Sequence, residues 1–326
     1  MPHPALLVVF RVYLPIAAFL AISGAQAQNI ETTASCSNFK VFQLNPSDPT
    51  NPPINVFGVN DWGTTVGQVF TQQQPLRSEA FVRYSGGSVK YYSPTGAIHA
   101  QFSGRNNNGT SVGDYEDALQ NFQGFMLQGS TITPIIDPKS ISPNGTTTRP
   151  FSINKWNSVV GRYIDPSSSF WQGFKRYSNG SFITLNYPRA LGTYPNGIND
   201  SGVIVGVYND VNYSSHGFIY HNGQWATLDF INSSTGTGLI GITNSGVILG
   251  EGSGSCNSMG CGLSGAFLYV NGTFKDLPEV PNSKNPPGST VSSTRYTAIS
   301  AGGLLAGTTN MTGDSTGSRG FTVTCH

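Results

Sequence analysis

From about residue 54 onward, apolar and polar residues alternate along short runs, and the runs are separated by pairs or triplets of glycine, asparagine, aspartate and serine. A side-chain period of two belongs to half-buried strands, and the intervening residues are turn formers. The clearest stretch reads PNGIN from Pro195, the turn Asp200-Ser201-Gly202, then VIVGVY from Val203. It continues with GFIYH from Gly217, the pair Asn222-Gly223, and QWATLDF from Gln224. An Asn-Gly pair between alternating apolar residues favours a two-residue hairpin, because both central residues of a type I′ turn need positive φ. The pair recurs at Asn179-Gly180 and Asn271-Gly272, with Gly86-Gly87 and Gln128-Gly129 as variants. The pattern predicts four short antiparallel strands, a to d, and no helix.

That stretch is one copy of a repeat. Aligned on the glycine of a Val-Gly-like pair, copies stand at Gly67, Gly113, Gly161, Gly206, Gly250 and Gly307, with spacings of 46, 48, 45, 44 and 57 residues. Seven positions earlier lie Asn60, Asn106, Asn154, Asn199, Thr243 and Ser300. A small residue followed by Phe comes next: Ala80-Phe81, Gly124-Phe125, Gly173-Phe174, Gly217-Phe218, Ala266-Phe267 and Gly320-Phe321. Four-stranded antiparallel units at this period predict an all-β, six-bladed β-propeller. A β-solenoid is the weaker alternative, since its repeats are shorter and lack the meander.

The sixth unit has strands a (RYTAIS, from Arg295), b (GLLAGT, from Gly302) and c (GFTVTC, from Gly320), but no d. Ahead of the first unit sits an orphan strand, NFKVFQL from Asn38, which resembles TFKDL at Thr273. Placed as the outer strand of the last blade, it closes the ring and leaves no unpaired edge at the seam. The alignment brings Cys36 beside Cys325, where other blades have their c–d turn, and predicts a disulfide there. In the chain-entropy model so long a loop gives at most about 5–6 kcal/mol. Cys256 and Cys261 are expected to staple their own loop. A zinc site at that pair has no neighbouring histidine and is not favoured, so no metal or cofactor is expected.

Composition narrows the compartment and the partners. The apolar run Val12–Ser23 contains Pro15, is shorter than the roughly 20 residues of a spanning helix, and precedes Ala25-Gln26-Ala27, a small-x-small cleavage pattern. It reads as a signal peptide over residues 1–27, with the mature chain, 28–326, expected as a single secreted domain and monomer with no membrane span; the periplasm is the alternative location. Charged residues are 10% of the chain and the formal net charge is +1, so there is no basic surface for nucleic acid.

Strand direction alternates within a blade, so a–b and c–d turns share one face while b–c loops and d-to-a crossings share the other. Length variation falls on the second face, at 251–264, 278–295, 134–150 and the proline-rich NPSDPTNPP from Asn45. Variable loops on a rigid scaffold are where binding resides. Strand b ends in Tyr-x-Asp three times on that face: Tyr115 and Asp117, Tyr163 and Asp165, Tyr208 and Asp210. One reading is a ring of carboxylates and phenols for a cation or a sugar-like ligand. The plainer one, preferred here, is an Asx-turn after the strand with Tyr filling the gap between blades. Trp171, in the third b–c loop, is a further binding candidate by position, and His216 has no evident partner in the sequence. Trp62 and Trp156 occupy matching a–b turns on the opposite face.

GTGLIG at Gly236–Gly241 leads into a strand rather than opening a helix, so the dinucleotide reading fails. GDSTG at Gly313–Gly317 lies in a b–c loop, not a strand-to-helix elbow. The pattern GINDSG, VxxGxY, HGF, then NG and a TLD strand, resembles the HAF-repeat family of bacterial extracellular proteins over about residues 54–325. The resemblance implies secretion and repeat architecture and supplies no catalytic residues. The expected function is a secreted binding or interaction module with an extracellular ligand, carbohydrate or protein, on the b–c and d-to-a loop face. The alternative is a hydrolase or lyase acting on extracellular polysaccharide.

Overall fold

A computed structural model describes residues 30–326 apart from 45–51, 74–75, 142–144, 169, 231–235, 253–255, 258–259, 262–264, 285–289 and 313–317. The expected signal peptide, most of the proline-rich segment, the GDSTG motif and the Cys256–Cys261 disulfide lie outside the described residues and side chains. Among the described residues no helix is long and apolar enough to cross a membrane. The fold is all-β and propeller-like, built from several four-stranded antiparallel sheets. The chain opens with β1 (Ile30–Thr33) and β2 (Cys36–Phe42). The first repeat follows as β3 (Ile54–Val59), β4 (Thr65–Gln73), β5 (Leu76–Arg83) and β6 (Val89–Tyr92). The second is β7 (Ala97–Arg105), β8 (Ser111–Asp117), β9 (Phe122–Gln128) and β10 (Thr131–Ile135). A single bridge between Ser78 and His99 joins these two meanders into one eight-stranded sheet.

The third repeat forms β11 (Thr148–Ile153), β12 (Val159–Ile164), β13 (Trp171–Arg176) and β14 (Phe182–Leu185). The fourth forms β15 (Gly192–Ile198), β16 (Ile204–Asn209), β17 (Ser215–His221) and β18 (Gln224–Thr227). The fifth begins with β19 (Thr237–Ile242) and β20 (Ile248–Gly252). A two-residue ladder, β21 (Cys256–Asn257) with β22 (Gly260–Cys261), puts Cys256 opposite Cys261 in its long loop before β23 (Ala266–Val270) and β24 (Thr273–Asp276). The sixth is β25 (Thr290–Ile299), β26 (Leu304–Thr312) and β27 (Ser318–Cys325), and β2 pairs with β27 as that sheet's outer strand. Cys36 and Cys325 face each other in this register and form the expected disulfide, with Cα atoms 4.1 Å apart. β1 runs parallel to β24, a pairing absent from the sequence reading.

The repeat signature has a steric origin. In each unit the glycine of the pair is the direct cross-strand partner of the Phe, as Gly206 is of Phe218. Opposite the glycine, the inner strand carries a bulge, between Pro195 and Gly197 in the fourth unit. The bulge drives a carbonyl inward: a Cβ on Gly206 would lie 2.1 Å from Tyr194 O and 2.9 Å from the Phe218 ring. Only glycine fits under both. The Phe rings fill the core, with Phe81, Phe174, Phe218, Phe267 and Phe321 fully buried. The small residue before Phe admits the next unit's inner strand, Pro195 over Gly173, Leu239 over Gly217 and Val56 over Gly320.

The a–b turns are tied to one another. Asn154 Oδ1 accepts the amides of Trp156 and Ser158 in its own turn, while its Nδ2 donates to Asn199 O at 3.1 Å in the next. Asn60, Asn106 and Asn199 repeat this outward donation to Asn106 O, Asn154 O and Thr243 O. Thr243 has no side-chain amide to donate; there the backbone N–H of Asn244 donates to Ala301 O. The Gly302 amide then donates to Asp61 Oδ1 in the first unit at 2.6 Å.

The Asn222-Gly223 and Asn271-Gly272 hairpins have positive φ at both residues, as their sequence predicts. Asn179-Gly180 differs, because only Gly180 (φ 91°) is left-handed. The Tyr177 amide donates to Ser181 O and the Gly180 amide to Tyr177 O, giving a longer loop in which Asn179 Oδ1 accepts the Ser181 amide.

Candidate functional site

On the loop face the three Tyr-x-Asp pairs sit at the ends of β8, β12 and β16. Asp117 Oδ1 accepts the amides of Leu119 and Asn121, and Oδ2 accepts from Gln123 Nε2. Burial pushes the Asp117 carboxyl up but is outweighed by these donors, which leave it below its usual value. Asp165 takes the hydroxyl and amide of Ser167, which lower it too. Both carboxylates therefore cap their own loops. Tyr115 donates to Gln123 Oε1, and the buried Tyr163 meets the Thr184 hydroxyl; burial raises both phenols. None of these four residues contacts another unit's Tyr-x-Asp pair among the described interactions.

The fourth unit is different. His216 lies between two carboxylates, Nδ1 at 2.8 Å from Asp229 Oδ2 and Nε2 at 3.6 Å from Asp210 Oδ2. Asp229 Oδ1 also accepts the Gly217 amide, and Asp210 Oδ1 accepts the amides of Asn212 and Ser214. The Ser214 amide leads the donors that hold Asp210 below its usual value. The imidazole stacks on Tyr208 (5.1 Å), which stacks in turn on Tyr187 (3.7 Å), and both phenols share the Thr227 hydroxyl. Burial first, then the neighbouring Tyr187, pushes Tyr208 up to about 12. Tyr213 stands 72% exposed at the loop tip, with the Phe170 ring of the third unit 6.4 Å away. Val211 is exposed in the same loop, and Leu119 in the b–c loop of the second unit. The structure thus brings Tyr208 and Asp210 onto the His216 imidazole and adds Asp229 and, behind Tyr208, Tyr187, with Tyr213 exposed in the loop that Asp210 opens; the sequence reading selected none of these last three.

Trp171 belongs to another group. Its ring lies 4.6 Å from the Arg162 guanidinium, which also faces Phe151 (4.8 Å) and Tyr194 (5.5 Å). Arg162 follows the repeat glycine Gly161, and its cross-strand partner is Arg149. The equivalent pair in the second unit is Asp114 with Gln101. Asp114 binds Arg149 at 3.2 Å and accepts from Gln101 Nε2. Burial raises the Asp114 carboxyl despite both partners. Inner-strand residues of all the units, Asn60, Asn106, Asn154, Asn199, Ile242 and Ser300 among them, line one cavity of about 410 Å³ together with Gln101, Arg149 and Arg162. Of the residues that follow the repeat glycines, Gln68, Asp114, Arg162, Val207, Glu251 and Thr308, Arg162 and Glu251 line it.

Trp62 and Trp156 are exposed on the turn face, and each donates its indole N–H to the next turn, at Asn107 O and Asp200 O. No group of three or more His, Cys, Asp or Glu among the described residues could hold a metal ion.

No family model matches the chain, and a search of curated proteins found no match. Among solved structures it is similar to a gluconolactonase of Xanthomonas campestris, at 10% identity and TM-score 0.49 over 93% of this chain and 99% of that one. A lectin of Aleuria aurantia, solved with α-methyl-L-fucoside, is similar at 11% identity and TM-score 0.46 over 81% and 89%. A third similarity is to a protein of Arthrobotrys oligospora, at 12% identity and TM-score 0.40 over 69% and 71%.

Proposed function

We propose that the mature chain is a secreted, single-domain, six-bladed β-propeller of the HAF-repeat kind that works as a monomeric binding module. Its ligand is a carbohydrate held on the loop face of the fourth unit. The circuit of turn-to-turn hydrogen bonds, ending at Gly302 N to Asp61 Oδ1, supports the closed ring, and the Cys36–Cys325 disulfide supports export. The observation that carries the ligand assignment is the open cluster around His216. Two carboxylates and an imidazole offer acceptors and a donor to hydroxyls, beside the exposed ring of Tyr213.

A polysaccharide hydrolase is the second reading, because Asp210 and Asp229 reach the same imidazole from its two sides. Both acids are partly open to solvent and neither lines the cavity, which favours binding over a water-excluding active site.

Glycan-array binding by the purified protein, alongside a screen for polysaccharide cleavage, separates the two. The binding reading expects saturable glycan binding that Asp229→Asn and Tyr213→Ala weaken about tenfold, with no cleavage. Multiple-turnover release of reducing ends would replace it with the hydrolase, and glycan binding unchanged in both folded variants would remove the site from the fourth unit.

A further inference from the structure

The central cavity carries unbalanced charge. Arg105, Arg149, Lys155, Arg162 and Arg295 line it, against only Asp200 and Glu251 among the carboxylates. Lys155 and Asp200 neutralise each other at 3.7 Å, and Arg149 is paired with Asp114 behind the wall. Arg162 has no carboxylate within ion-pair distance among the described residues; three aromatic faces hold it instead. The Nε atoms of Arg105, Arg149 and Arg162 are buried and meet no acceptor among the described residues. Those atoms are closed to solvent and to any ligand, but a guanidinium buried without a counter-ion is itself costly, and an oxyanion in the cavity that Arg162 lines would offset that cost.

We infer that this cavity is a binding site for a small organic carboxylate, whose oxygens are taken by the guanidinium groups of Arg162 and Arg149, with Gln101 beside them. The assignment does not depend on the loop-face reading. Arg149, Arg162 and Asp114 together leave one uncompensated positive charge, and Arg105 and Arg295 against Glu251 add a second, so the cavity as a whole favours an anion. The planar guanidinium fork fits the two oxygens of a carboxylate. The volume, about 410 Å³, lies within the range of small-molecule pockets, roughly 300–1,000 Å³. Burial first, then the neighbouring Arg149, pulls Arg162 down to about 10, so it remains charged at neutral pH and gains from an anion.

Calorimetric titration of the purified protein with D-glucuronate, acetate, D-glucose and inorganic phosphate tests the assignment, with the thermal midpoint as a second readout. Glucuronate is expected to bind and raise the midpoint while its neutral analogue glucose does neither. Acetate binding as well extends the site to small acids generally, and its absence restricts the site to sugar acids; both agree with the inference. Arg162→Gln should lower glucuronate affinity about tenfold or more. Arg162→Lys, which keeps the charge over the rings but not the fork, should lower it about threefold and serves if the glutamine variant does not fold. The inference is overturned if no carboxylate binds, if glucose binds as well as glucuronate, if phosphate alone binds, or if a folded Arg162 variant keeps the parent affinity.

Discussion

Asn154 satisfies its own turn and grips the next one with a single side chain, a combination that neither threonine nor serine can reproduce. Replacing it with alanine strands two amides and one carbonyl in a buried setting. Asn154→Ala is therefore expected to lower unfolding stability by about 2–4 kcal/mol, read as a shifted urea midpoint at unchanged slope. Gly206→Ala forces a methyl against Tyr194 O, a backbone atom that cannot rotate away. Its cost should reach or exceed about 3 kcal/mol, the upper end for overpacking, and a thermal midpoint near the parent's would refute the steric account of the repeat glycine. At this scale the sequence was legible where a residue type recurs. Asn and Gly announce a turn and a tight crossing, but nothing local reveals that Nδ2 reaches a carbonyl 45 residues away.

The fourth unit's b–c loop makes the argument for elements. Donors from its own backbone depress the Asp210 carboxyl, so the folded value lies below the unfolded one of about 3.9. By linkage, its contribution is present above the unfolded value and is lost as pH falls through the folded one. Amide exchange at Asn212 and Ser214 should quicken over that acid range, and Asp210→Asn, which keeps an acceptor oxygen, should abolish the pH dependence. Tyr208 is raised to about 12, so an alkaline absorbance titration should show it ionising roughly two units above the ordinary value of about 10, ahead of the more deeply buried Tyr296, which burial raises further. The titration of Tyr208→Phe identifies it. Hairpins were readable because their turns need particular φ values at adjacent residues. The longer loop at Asn179-Gly180 was misread as a two-residue turn because both kinds end in glycine at positive φ. His216 and Asp229 meet only because the β17–β18 hairpin folds back, so their partnership was invisible in linear order.

For the molecule as a whole, the strand at residues 36–42 and the cystine were legible because the sixth unit lacks a fourth strand. The charged lining of the cavity was not, since Arg162 and Glu251 stand at a position whose residue type changes from unit to unit, and a search for recurrence discards it. Double replacement of Cys36 and Cys325 by serine should lower the urea midpoint, by at most about 5–6 kcal/mol in stability, with β2 and β27 the first strands to lose amide protection. Equal protection in the double variant would show that strand pairing alone holds the seam.

That seam joins positions 289 residues apart. β2 must find a neighbour far along the chain, so its pairing is the slow, long-range step expected of high contact order. The cystine consequently reports on that meeting: until β27 has docked beside β2, Cys36 lacks the sulfur of Cys325, and an alkylating label on its thiol would count the molecules in which the two strands are still apart.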